Sequence, residues 1–103
     1  MIDNANPLPH DAEIEVDEAV SWYQKQSEDQ DLNFLDELVR GIRLITAYPL
    51  IAAEIEPDIR IFFLSRFPYS LIYGIEENGI VIIALAHQSR EPGYWTDRVP
   101  CLK

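Results

Sequence analysis

The stretch Ala86-His87-Gln88-Ser89-Arg90-Glu91-Pro92-Gly93-Tyr94-Trp95 concentrates polar and aromatic chemistry directly after an apolar run. An imidazole such as His87 exchanges a proton near neutral pH, and a guanidinium such as Arg90 clamps an oxyanion or phosphate. A phenol such as Tyr94 donates a proton or stacks on a base. His87, Arg90 and Tyr94 are therefore the candidate catalytic residues, with Arg66, Gln88 and Trp95 as candidate substrate-binding residues. Each has a plainer reading. A histidine at a strand end commonly only hydrogen-bonds backbone, Arg90 beside Glu91 makes a surface pair, and Tyr94 with Trp95 makes a hydrophobic plug over the end of the core.

Other chemistries find less support. His10 and His87 are far apart, Cys101 is the single cysteine, no HExxH stretch exists, and the four glycines form no phosphate-cradling loop. No metal site and no cofactor is expected. Ser65 and Ser70 lack the surroundings of a nucleophile elbow. An acid–base enzyme built on His87, Tyr94 and Glu54 or Glu56 needs groups that nothing in the spacing brings together.

The elements that must hold these residues fall into two halves. Ala12, Val16, Ala19, Val20 and Tyr23 trace one face of a helix starting near Asp11, which His10 or Asp11 would cap. The polar stretch Gln24 to Asp31 predicts a turn, with Ser27 and Asp29 as caps for a second helix. Leu32, Phe34, Leu35, Leu38, Ile42 and Ile45 form that helix's apolar stripe, which Pro49 stops. After Pro57 come three β-branched and aromatic runs, Ile59 to Leu64, Tyr69 to Ile75 and Ile80 to His87, read as strands. Glu76-Glu77-Asn78-Gly79 joins the last two, with Asn78 and Gly79 able to take the positive φ of a tight hairpin. Helices followed by strands predict an α+β fold in which the helical hairpin covers one face of an antiparallel sheet. The 103 residues suffice for a single domain, 1–103, with 1–9 as an arm or weak edge strand and 96–103 as a tail.

Charge sorts the possible partners. The net charge is -10, and it is uneven: residues 1 to 58 hold 14 acids and 3 bases, whereas residues 59 to 103 hold 4 acids and 5 bases. An acidic chain has no general attraction to nucleic acid or anionic lipid, so any anion site must be local. No run approaches the ~20 apolar residues of a membrane span, and the unpaired cysteine suits a reducing cytoplasm.

In chain order, Asp11-Ala12-Glu13, then Asp17-Glu18-Ala19-Val20-Ser21-Trp22-Tyr23, Phe34-Leu35-Asp36-Glu37-Leu38 and Arg66-Phe67-Pro68-Tyr69-Ser70-Leu71-Ile72-Tyr73 resemble the RelE/ParE toxin superfamily. Ala86-His87-Gln88 and Arg90-Glu91-Pro92-Gly93-Tyr94-Trp95 extend the resemblance, which covers residues 8 to 98. It implies an α+β fold with a two-helix antiparallel hairpin packed on a small curved antiparallel sheet, the first strand here being weak or absent. It implies the toxin of a plasmid-stabilisation-like type II toxin–antitoxin pair, held inactive by a cognate antitoxin. Some members cut messenger RNA in the ribosome as metal-independent endoribonucleases, and others poison DNA gyrase. Arg90 and Tyr94 match the basic residue and the tyrosine near the end of the nuclease members, while Ser70, Gly74 and Ser89 stand where such relatives commonly carry arginine. These departures and the acidic composition turn the expectation toward a gyrase-like or unassigned target. The alternatives are a ribosome-dependent mRNA endonuclease and an inactive toxin-fold binding module. Like-charge repulsion directs an acidic antitoxin away from residues 11 to 37, toward residues 59 to 75 and 87 to 95, with a homodimer as the rival occupant of an open sheet edge.

Overall fold

A computed structural model describes residues 9–27 and 29–98. The expected arm or first strand before Pro9, and Cys101, lie outside the described residues. Two helices come first, α1 (His10–Gln26) and α2 (Gln30–Ala47), followed by β1 (Ala53–Glu56), β2 (Ile59–Phe63), β3 (Tyr69–Glu76) and β4 (Gly79–His87). The strands form one antiparallel sheet in the order β1-β2-β3-β4. This is the α+β arrangement expected, a helical hairpin on an antiparallel sheet.

The helices form where the apolar period predicts them. Ala12, Ala19 and Tyr23 of α1 and Phe34, Leu38, Gly41 and Ile45 of α2 are buried. Leu32 is an exception: two residues before Phe34, it lies on the other side of the helix and is exposed. Gly41 marks the closest approach of α2 to the sheet, since a Cβ there would sit 3.1 Å from Phe62 and 3.3 Å from Leu64. The Tyr48 N–H donates to the Leu44 carbonyl and closes α2 just before Pro49. The caps differ from expectation. Pro9 is the N-cap of α1 and no side chain caps it; His10 and Asp11 lie inside the first turn, and Asp11 faces Arg98 instead. Ser27 ends α1, and Asp29 occupies the N-cap of α2 with φ 71°, yet its side chain makes no capping hydrogen bond.

The sheet differs from expectation in two places. β1 lies outside the runs expected as strands, because its four residues, Ala-Glu-Ile-Glu, are all exposed and too few for their alternation to stand out; its pairing with β2 makes it a strand. In the β3–β4 hairpin Gly79 alone takes a positive φ, 140°, and Asn78 does not. A glycine meets that backbone without a Cβ clash, so the turn needs only one such residue.

A register shift between Ile72 and Tyr73 leaves Ile83 unmatched in β4. Apolar residues therefore serve both faces of the sheet. Leu71, Tyr73, Ile82 and Leu85 pack with the helices, whereas Ile59, Ile72, Ile83, Ala84 and Ala86 form a second cluster on the opposite face with Trp95. Tyr23, Phe34, Phe67 and Tyr69 join in edge and stacked contacts 5.1 to 6.3 Å apart, tying the helical hairpin to the start of β3.

Candidate functional site

β4 ends at His87, and the chain then reverses through a series of turns. The Arg90 amide donates to the His87 carbonyl at 2.9 Å, Gln88 to Pro68 at 2.9 Å, Thr96 to Gly93 at 3.0 Å and Arg98 to Trp95 at 2.9 Å. Gly93 supplies a left-handed residue with φ 80°. Residues 96–98, expected to begin a tail, form a helical turn folded against the body of the domain.

Trp95 anchors this segment. It is 4% exposed and packs with Ile59, Ile72, Ile83, Ala84 and Ala86, so it is the plug rather than an open binding surface. Anchoring Trp95 turns its neighbour toward α1. The Tyr94 hydroxyl donates to Glu15 Oε2 at 2.6 Å, and the Arg90 guanidinium lies over the Tyr94 ring, 3.8 Å from its centre.

Glu15 is the centre of the arrangement. Its carboxylate, 11% exposed, also accepts the Leu85 N–H at 3.0 Å and is held by Arg98 Nη1 at 3.2 Å and Nη2 at 3.3 Å. Arg98 Nη1 further donates to the Ile83 carbonyl at 2.9 Å, and Asp11 lies 3.7 Å from Arg98 Nε. Neither Glu15 nor Arg98 stood out in the sequence. Glu15 is one of several acids on α1 and Arg98 follows the Tyr-Trp pair; nothing local signals that they meet across the fold.

The Tyr94 phenol is pushed well above the ordinary tyrosine range, first by burial, then by its hydrogen bond to Glu15 and that carboxylate's charge, against the opposing pull of Arg98 and Arg90. It remains protonated at neutral pH. Burial similarly raises Tyr23, Tyr69 and Tyr73. In alkali the unfolded chain releases these protons first, near pH 10 for an ordinary tyrosine, so stability falls as pH rises beyond that value. Tyr94→Phe removes one of these contributions. Its denaturant midpoint is expected to decline less steeply above about pH 10 than that of the parent; parallel declines would show that Tyr94 ionises like an exposed tyrosine.

His87 is also partly committed. The Ser89 N–H donates to His87 Nδ1 at 3.0 Å, so the neutral ring carries its proton on Nε2. Ser89 Oγ lies 2.8 Å from the same nitrogen, and the ring stands edge-on to Tyr69 at 5.0 Å.

Residues 87–90 form a ridge between two grooves. One, about 420 Å³, runs toward α1 between His87, Arg90, Tyr69, Trp22 and Glu18. The other, about 530 Å³, is a mainly apolar trough on the face of the sheet away from the helices, where Ile55, Ile61, Phe63, Ile72 and Ala86 meet a rim of Glu56, His87, Gln88, Arg90, Glu91 and Tyr94. Ser70, buried, lines this trough as well. The fold thus gathers His87, Gln88, Arg90 and Tyr94. Arg66 lies apart from both grooves, 3.6 Å from Glu37, whose carboxyl is held below the usual carboxylate range by hydrogen bonds from the Ser65 hydroxyl and amide and by Arg66 and Arg40. Glu54, for its part, accepts the Asp58 N–H at 3.1 Å.

Among the described residues no cluster of three or more His, Cys, Asp or Glu could hold a metal ion, and no helix is long and apolar enough to cross a membrane. No curated protein matches the chain. The family model for the ParE toxin of the type II toxin–antitoxin system parDE matches residues 8–92, a span that takes in both helices, all four strands and the turn carrying Arg90. Match and fold agree over the same residues, and the chain belongs to the ParE toxin family within the RelE/ParE superfamily.

Proposed function

We propose that this toxin acts by binding a target of the DNA gyrase class rather than by cutting messenger RNA, and that a cognate antitoxin silences it by seating against residues 59–75 and 87–95. The observation that carries this reading is the commitment of Tyr94. Cleaving RNA requires a group to activate the 2′-hydroxyl, a group to protonate the leaving oxygen, and cations for the charge developing on phosphorus oxygens. Here the Tyr94 hydroxyl keeps its proton and donates it in a hydrogen bond to Glu15, and Ser70 and Gly74 stand on the neighbouring strand with no charge to offer. The trough beside Arg90 is by contrast largely apolar, with Glu56 and Glu91 as well as the arginine at its rim, suited to covering by a protein segment rather than by a phosphate backbone.

The experiment adds the purified protein to DNA gyrase in a supercoiling assay and, separately, to ribosomes programmed with messenger RNA. Inhibited supercoiling with intact message is expected, reversed by the product of the adjacent reading frame. Ribosome-dependent cleavage of the message would overturn the proposal. A second reading, an inactive toxin-fold binding module, is favoured by Ser70 being buried beside the Ala86 carbonyl, at a position where the resemblance to the nuclease members implies an arginine. Absence of growth inhibition together with retained binding to the neighbouring product would select it.

A further inference from the structure

Arg40, Arg66 and Arg98 each meet a carboxylate, that of Asp36, Glu37 and Glu15 in turn. Arg90 meets a ring. Its guanidinium lies over Tyr94, its amide is held by the His87 carbonyl, and its side chain borders both grooves. Among the described residues that line the two grooves, Arg90 is the one lysine or arginine. It is exposed, and an exposed arginine held in one position loses less freedom on binding than one that samples many.

The ring beneath it is fixed at both ends. On the backbone side Tyr94 lies between Gly93, in a left-handed conformation, and Trp95, buried against the sheet. At the other end its hydroxyl donates to Glu15 at 2.6 Å. A guanidinium is attracted to the negative face of such a ring, and more strongly where water is partly excluded.

A second cation complicates this attraction. The Arg98 guanidinium lies 5.3 Å from the centre of the same ring. Two positive charges beside one ring repel, and Arg98 is tied to the Ile83 carbonyl, so the side chain that yields is the exposed Arg90. Glu15 removes the repulsion. Its two oxygens take Arg98 Nη1 and Nη2 at 3.2 and 3.3 Å, which leaves Arg90 as the uncompensated cation on the ring. Asp11, 3.7 Å from Arg98 Nε, is exposed and screened by water, so it compensates less.

We infer that Glu15 is a positioning residue for Arg90: its charge neutralises Arg98, its hydrogen bond fixes the Tyr94 ring, and together these hold the Arg90 guanidinium at the crest between the two grooves for a carboxylate of the partner protein. What Arg90 meets rests on the proposed binding function, whereas the coupling through Tyr94 is a property of the free chain. The site uses the face of Tyr94 and not its proton.

The test uses the full chain and has two parts. In the NMR spectrum the Arg90 δ-methylene and Nε–H resonances are expected upfield of those of exposed arginines, shifted by the Tyr94 ring current, and to lose that shift in Tyr94→Leu. Glu15→Gln is expected to release Arg90 and lose the shift, and Glu15→Gln/Arg98→Gln, which removes the repelling cation as well, to recover it. In the second part, affinity for the product of the adjacent reading frame is expected to fall by about tenfold in Arg90→Gln and in Glu15→Gln, no further when the two are combined, and to return in Glu15→Gln/Arg98→Gln. Melting temperatures of the same variants show which losses reflect unfolding. An unshifted Arg90 in the parent, a shift unaltered in Glu15→Gln, or an affinity loss that follows the melting temperature and that Arg98→Gln does not restore would each overturn the inference. Shifts and rescue as expected in a protein that leaves gyrase untouched would support this inference and overturn the proposed target instead.

Discussion

Replacing Glu15 with alanine is expected to lower the unfolding free energy by roughly 3 kcal/mol, a large share of the 5–15 kcal/mol typical of a domain. The change leaves the Tyr94 hydroxyl, the Arg98 guanidinium and the Leu85 N–H without their shared acceptor. Water reaches part of the site, which keeps the loss below that of a fully buried charge pair. For a domain of this size the melting temperature should drop by roughly 15 °C. Glu15→Gln keeps one acceptor oxygen, enough for the Leu85 amide, but gives up the charge and sets an NH2 against the Arg98 guanidinium where Oε2 accepted, so its loss should be smaller than that of alanine without vanishing. Combining Glu15→Ala with Tyr94→Phe should cost less than the two changes added, since both break the same bond. Thermal denaturation of the two Glu15 variants, Tyr94→Phe and the double variant decides this. A Glu15→Ala protein melting with the parent would show that the network contributes nothing.

The second large effect is at Trp95. Trp95→Ala removes the side chain that covers Ile59, Ile72, Ile83, Ala84 and Ala86, and is expected to cost about 3 kcal/mol. It should also release the turn carrying Arg90 and Tyr94, visible as faster proteolysis within residues 88–98. Trp95→Phe should recover part of the stability, because a smaller ring still covers the cluster. The contrasting outcome is specific. A Trp95→Ala protein of unchanged melting temperature that no longer inhibits growth would mean that Trp95 meets the target directly.

These two residues also mark how far the sequence could be read. Periodicity located both helices because their inward positions repeat every three or four residues, and the helix boundaries follow from Pro49 and the polar turn around Ser27 and Asp29. β2, β3 and β4 were legible because their runs are apolar and β-branched, and the toxin superfamily was recognisable from the Trp-Tyr, Phe-Pro-Tyr and Arg-to-Trp segments. β1 was not legible: Ala-Glu-Ile-Glu has no apolar run, and only its pairing with β2 makes it a strand.

The site divides along the same line. His87, Gln88, Arg90 and Tyr94 are neighbours in the chain, so a single turn after β4 brings them together and local sequence suffices to suspect them. Glu15 lies 79 residues from Tyr94 and 83 from Arg98, and no local pattern on α1 distinguishes it from Glu13 or Glu18. Arg66 illustrates the converse, a basic residue in the right half of the chain that the fold turns toward Glu37. The sequence by itself determined the two layers, the family and the segment that gathers the candidate residues, because periodicity, turn residues and chain proximity are local properties. Tertiary structure alone decided that Tyr94 is held by Glu15, that Trp95 packs against the far face of the sheet, and that Arg66 turns toward Glu37. Each of these depends on which groups meet across the packed fold, and burial and pairing there change what a side chain can do.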